Sequence, residues 1–221
     1  MQSQSKTVNK MDRLCEQVAS IVESGNDRSR KIIAIAGPPG SGKSTLLSAL
    51  VPLLQLELST RGIIGIPMDG YHLDNTQLDK DDCRAVKGAP HTFDVYGLLS
   101  LIQRLHTGEH AVYAPEFDRD SDLSRNCAIK IEQTHDVVLI EGNYLLLDQP
   151  GWRELARYFA LTISIDVPTD ILHERLVQRW LHYGLSEKEA RSKALGNDIP
   201  NAKTVVEQSV SADIIYQPEN N

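Results

Sequence analysis

Cysteine is sparse and scattered. The three present, Cys15, Cys83 and Cys127, form no C-x-x-C pair and have no histidine at metal-ligand spacing. That excludes a disulfide framework and a thiolate metal site, and each is expected to be buried as a small hydrophobe. Long apolar runs are missing as well. None approaches membrane-spanning length, and Met1 to Lys6 carries no apolar leader core, so the expectation is a cytoplasmic protein with no membrane partner. Positive charge is not in excess. The formal net charge is −7, whereas a broad nucleic-acid footprint needs clustered Lys and Arg; nucleic acid is not an expected partner, although a local basic patch stays open. There is no internal repeat and no low-complexity tract. What remains is a chain of 221 residues, 41% hydrophobic with mixed charges. That is enough for one sizeable α/β domain with a small lid, and too little for two full domains.

The most informative stretch is Gly37-Pro38-Pro39-Gly40-Ser41-Gly42-Lys43-Ser44-Thr45, which fits the phosphate-cradling pattern G-x-x-x-x-G-K-[ST]. Its context is the one that the motif needs. Lys31 to Ala36 is a short apolar run rich in β-branched residues and reads as a buried strand, and Thr45 to Val51 reads as a helix. Glycines let the backbone turn tightly and aim its N–H groups at phosphate oxygens, to which the helix adds its positive dipole end. Lys43 is expected to reach the β- and γ-phosphates, and Ser44 to ligate Mg²⁺. A nucleoside triphosphate is the ligand that this stretch predicts.

Taken in order, residues 8–24 place Val8, Met11, Leu14, Cys15, Val18, Ile21 and Val22 at helical spacing, stopped by Gly25-Asn26. This predicts an N-terminal helix, within a unit 1–28, packed outside the sheet of a single domain 29–221. Pro52 should kink or restart the helix after the phosphate loop. Ile63 to Met68 is a second buried strand delivering Asp69-Gly70-Tyr71-His72. From Leu73 to His91 the chain is polar and broken by Gly88 and Pro90, which predicts a mobile segment at about 73–93 beside the site. Asp94 is a plausible N-cap for a helix ended by Gly108. Ala111 to Arg119 leads into a loop, and Cys127 to Glu132 alternates as a half-exposed strand should. Val137 to Ile140 is an apolar strand ending in Glu141-Gly142, and Leu161 to Val167 is another. Pro168 opens a helix carrying Arg175 and Arg179 on one face. Ser186 and Glu189 form a capping box for the next helix, which Asn197 to Asn201 interrupts, and Asp213 to Tyr216 is a last short strand. Buried strands alternating with helices specify a parallel sheet covered on both faces.

Ligands of such sheets bind outside the carboxyl ends of the strands, where the phosphate loop, Asp69 and Glu141 all fall. One carboxylate can organise Mg²⁺ and its waters, and the other can accept a proton from an attacking hydroxyl. The moving phosphoryl group also needs cations, and Arg175 and Arg179 are placed to supply them from a lid at about 175–200. Each residue has a plainer role open to it. Asp69 before Gly70 is also a turn former, Glu141 can merely end its strand, and Arg175 with Arg179 can form a solvated face with Glu174. His72, His91 and Arg119 are open between substrate contact and surface.

Met68-Asp69-Gly70-Tyr71-His72 joined to the phosphate loop resembles the P-loop small-molecule kinases that include uridine kinase, pantothenate kinase and phosphoribulokinase, over about residues 30–216. The resemblance implies a nucleoside-monophosphate-kinase-like P-loop fold, with ATP and Mg²⁺ as cofactors and Asp69 as the catalytic base. Val138-Leu139-Ile140-Glu141-Gly142 is similar to the family's Walker-B-like strand, which puts Glu141 near metal and substrate. Lys87 to Asp94 is similar to the pantothenate kinase segment, Tyr113 to Arg119 to a substrate-proximal loop, and Arg175 to Arg179 to the lid. Arg179-Trp180, Gly184-Leu185-Ser186 and Asn197 to Asn201 look like the subgroup named "putative fructose transport system kinase".

The reading these residues support is an ATP:alcohol phosphotransferase acting on a small polar metabolite, as a monomer or homodimer. Tyr71, His72, His91, Arg119 and Asn201 are the residues expected around a sugar, nucleoside or pantothenate-like acceptor. The alternative is a P-loop NTPase serving as a switch or a metabolite-binding regulator. A guanine-reading Asn-Lys-x-Asp is not supplied by Asn201-Ala202-Lys203-Thr204.

Overall fold

The computed structural model describes residues 9–24 and 29–218. Five parallel strands make the central sheet: β1 (Lys31–Ala36), β2 (Gly62–Pro67), β5 (His135–Gly142), β6 (Leu161–Ile165) and β7 (Ile214–Tyr216), in the order β2-β5-β1-β6-β7. Side chains alternate across β1. Ile32 and Ala34 enter one core with Val138, Ile140, Leu98, Ile102 and Leu105, and Ile33 and Ile35 enter the other with Leu139, Leu46, Leu50 and Leu54. Helix α4 (Val95–His106) supplies the first face. The second is covered by α2 (Lys43–Glu57) and by α1 (Lys10–Ser24), whose Leu14, Val18 and Val22 are fully buried. Each face removes apolar surface from water, which supplies most of the driving force. Val8 and the Gly25-Asn26 stop lie outside the described residues.

Several expectations are corrected. Helix α2 runs through Pro52 without restarting. Pro52 is on the solvent face, so the one lost hydrogen bond leaves a carbonyl that water can reach, while Leu46, Leu50 and Leu54 hold the helix to the sheet. Ala111 to Arg119 does lead into a turn, but as an unexpected strand: β3 (Val112–Asp118) pairs antiparallel with β4 (Leu123–Ile131), forming a separate two-stranded sheet. Pro115 and the acidic Glu116 and Asp118 break the alternation that would mark a strand, and the partner of β3 lies just beyond the turn. The expectation that residues 73–93 lie outside the core is corrected in part: they carry α3 (Asn75–Lys80) and short 3-10 turns and bury Leu78, Ala89, Thr92 and Phe93. Of the cysteines only Cys15 is buried; Cys83 is half-buried, and Cys127 is exposed on β4 with φ 56°.

Beyond β6, α5 (Thr169–His182) and α6 (Glu187–Lys193) continue through a π turn (Ala194–Asp198) into α7 (Ile199–Gln208). Ser186 and Glu189 make the expected capping box. Leu176, Val177, Ala190 and Ala194 give α5 and α6 a small core of their own.

Candidate active site

Strand register assembles the site. In the sheet Ala36 is level with Gly142, and Pro67 is level with Glu141. The phosphate loop after β1, Glu141 at the end of β5 and Asp69 just past β2 therefore open onto one edge. They line a single cleft of about 1280 Å³, together with Arg119, Arg175, Arg179 and Asn201.

The phosphate side is built from backbone. Gly42 has φ 91° and leads directly into α2, a left-handed conformation that a side chain would strain, and one that turns successive N–H groups toward the cleft. Lys43 is buried, and among the described residues its ammonium donates to the Pro38 carbonyl alone, at 3.0 Å. Burial pushes its pKa down, opposed by Glu141 and Asp69. Ser44 Oγ donates to Glu141 Oε1 at 2.6 Å. Burial pushes the Glu141 carboxyl up, opposed chiefly by Lys43. The Ser41 hydroxyl is buried without a partner among the described residues. A desolvated ammonium, an orphaned hydroxyl and a glycine-turned backbone all lack what an anionic phosphate supplies, so the residues fit a nucleotide. Ser44 and Glu141 offer the hard oxygens that Mg²⁺ takes. Among the described residues no three His, Cys, Asp or Glu side chains cluster to hold a metal, which suits an ion carried mainly by phosphates and water.

The other side of the cleft is built from side chains. Gly70 lies against β3; a Cβ there would stand 2.3 Å from the Pro115 carbonyl oxygen. That close approach brings Arg119 to Asp69, where NH2 donates to Oδ2 at 2.7 Å. His72 Nδ1 lies 2.8 Å from the Asp69 carbonyl oxygen, and its ring is between Phe93 and Phe117, with centroids at 4.0 and 4.7 Å. Burial pushes the His72 pKa down, with Asp69 opposing, so the ring is neutral near pH 7 and donates from Nδ1. The turn that carries Asp69 is thus held from two directions.

Arg175 NH1 approaches the Gly40 carbonyl oxygen at 3.5 Å, and Arg179 NH2 donates to Asp198 Oδ1 at 2.8 Å. Both arginines line the cleft. Gly37 and Pro38 begin the loop behind it, while Pro39, Gly40, Ser41, Gly42, Lys43, Ser44 and Thr45 face it. The structure does not bring Tyr71 and His91 to the cleft. Tyr71 turns into the core with Phe93 and Leu98, and His91 is exposed on a 3-10 turn elsewhere. Successive positions of a 3-10 turn point in different directions, so Tyr71, two residues after Asp69, does not share its side of the turn.

Lys87, Tyr144, Asn197 and Asp198 were not among the expected site residues, yet they hold the cleft together. Lys87 Nζ donates to Asn75 Oδ1 at 2.8 Å and pairs with Asp122 at 2.9 Å, and it lies 4.9 Å from the Phe117 ring centroid. Tyr144 Oη donates to the Gly88 carbonyl at 2.6 Å, and burial pushes its pKa up. Asp198 also accepts from Trp180 Nε1. The sequence marks Lys87 to Asp94 and Asn197 to Asn201 only as stretches of family resemblance and a helix interruption, with no role for these side chains.

The model of the "Phosphoribulokinase / Uridine kinase family" matches residues 32–218. "Uncharacterized protein YggC" of Escherichia coli K12 is 32% identical over 98% of this chain and 90% of its own. A Schizosaccharomyces pombe protein named "Putative uridine kinase" is 31% identical over 98% of this chain and 94% of its own. The crystal structure of a "putative fructose transport system kinase" from Silicibacter sp. TM1040 superposes with a TM-score of 0.89 and 38% identity, covering 93% of this chain and 98% of that one.

Proposed function

The chain belongs to the phosphoribulokinase and uridine kinase family, and from that premise we propose that it moves the γ-phosphoryl group of ATP to a hydroxyl of a small polar metabolite. The family makes it an ATP- and Mg²⁺-dependent small-molecule kinase; the hydroxyl acceptor, of sugar, nucleoside or pantothenate type, is the finer reading. One observation carries it: Pro67 is level with Glu141, and Asp69, two residues past Pro67, lines the same cleft as Glu141, Lys43 and Ser44.

Phosphoryl transfer asks for position and charge neutralisation more than for covalent help. Backbone N–H groups of residues 40–44 and the Lys43 ammonium hold the triphosphate. Ser44 and Glu141 hold Mg²⁺, which when bound neutralises phosphate charge. Arg119 and His72 orient Asp69, whose carboxylate accepts the acceptor's proton as that oxygen attacks phosphorus and ADP leaves. Arg175, beside Gly40, and Arg179 add positive charge from the lid. The uncommitted Arg179 Nε, buried without a partner, is a donor available for this.

We also read the protein as cytoplasmic, acting as a monomer or homodimer without nucleic acid or membrane. In support, no described helix is long and apolar enough to cross a membrane.

The test is Mg-ATP-dependent ADP release against sugars, nucleosides and pantothenate-type vitamins, run beside Asp69→Asn. One acceptor that stimulates only the wild type is the expected result. Equal stimulation of both proteins removes Asp69 from the mechanism. A flat panel with intact ATP binding favours the regulator.

A further inference from the structure

Lys87 and Gly88 are the meeting point of three walls of the cleft. Gly88 is held by Tyr144 from the end of β5, and the Lys87 ammonium by Asn75 and by Asp122 at the tip of the β3–β4 hairpin. The third hold comes from the lid. Asn197 Nδ2 donates to the Lys87 carbonyl at 2.8 Å, 110 residues away in sequence. The Asn197 amide is set by Asn201, one turn later, whose Nδ2 donates to Asn197 Oδ1 at 3.2 Å.

Asn197 sits in the π turn, where an extra residue in the helix lets neighbouring side chains serve different partners. Its neighbour Asp198 holds Arg179 and Trp180 of α5. Two consecutive residues thus join the acceptor segment on one side to the lid helix and its cation on the other. The geometry points to Asn197 as a positioning residue that ties the Lys87–Gly88 segment to the lid, so that a lid ordered by nucleotide also orders the acceptor wall. This rests on the kinase reading, and it goes beyond that reading by coupling the two half-sites.

The bond is directional, because the Lys87 carbonyl can only accept. Asn197→Asp keeps the size and loses the donor; Asn197→Ala removes the group. The experiment is hydrogen–deuterium exchange on the full chain, with and without Mg²⁺ and an imido analogue of ATP that cannot be hydrolysed. In the wild type the analogue should slow exchange in the phosphate loop, in 187–208 and also in 84–92, the last by about three- to tenfold, the worth of one hydrogen bond. Either variant should retain the first two effects and lose the third. A merely structural Asn197 would change exchange equally with and without nucleotide. Slowing of 84–92 that persists in both variants overturns the proposal, as does a wild-type segment that ignores the analogue. A phosphate loop left unprotected in the wild type fails the kinase reading itself, and the proposal with it.

Discussion

The two sides of the cleft are made differently. The proposed phosphate floor is one run of nine consecutive residues, offering mostly backbone N–H groups, with its lysine buried against its own loop. The acceptor wall gathers side chains from the turn after β2, the 73–93 segment, the hairpin and the lid, fastened by bonds such as Arg119 to Asp69 and Asn197 to Lys87. A floor made by local backbone geometry serves any nucleoside triphosphate, whereas a wall of interlocked side chains can be changed piece by piece. The difference teaches where the specificity of such a kinase resides, and four measurements press on it.

The largest effect belongs to the floor. Lys43→Ala should weaken ATP binding and lower kcat/KM by roughly 10³–10⁴-fold, because one buried charge serves both ground and transition states. Calorimetric titration of Mg-ATP checks it, and unchanged affinity would break the assignment of the floor. Next, Asp69→Asn should cost about 10³-fold in acceptor-dependent turnover while ATP affinity stays within a few-fold. If affinity fell in step, floor and wall would not be separable.

Gly70→Ala acts on the wall through packing. Its Cβ would meet the Pro115 carbonyl carbon and oxygen at 2.5 and 2.3 Å, both backbone atoms. The hairpin must shift, at a cost of about 1–3 kcal/mol seen as a lowered melting temperature, with ATP affinity preserved. A melting temperature equal to the wild type would show that the hairpin is not held there.

The smallest effect is in pH. The folded-state pKa of His72 lies below its unfolded value because burial disfavours the charged ring. The unfolded chain therefore binds the proton first as pH falls, and the stability that the neutral ring contributes is fully present above its unfolded pKa and is lost below it. Melting temperature should drop by a few degrees from pH 7.5 to 5.5, and by less in His72→Gln. Parallel pH profiles would show that the ring does not hold the wall in its neutral form.

By itself the sequence determined the floor and the frame: the β1–loop–α2 unit, the parallel apolar strands, the capping box of α6 and the carboxylates at two strand ends. Each is a local pattern whose meaning depends on neighbours a few residues away, on a period of two or 3.6, or on a glycine that must turn left-handed. Tertiary structure alone decided that 111–119 pairs as a strand, that Tyr71 turns inward while Asp69 faces the cleft, and that Lys87 meets Asn197. Those outcomes depend on contacts that run from a hairpin partner just past its turn to residues more than a hundred positions apart. No local propensity encodes them, because a polar side chain carries no mark of the partner that will satisfy it until the sheet has set both in place.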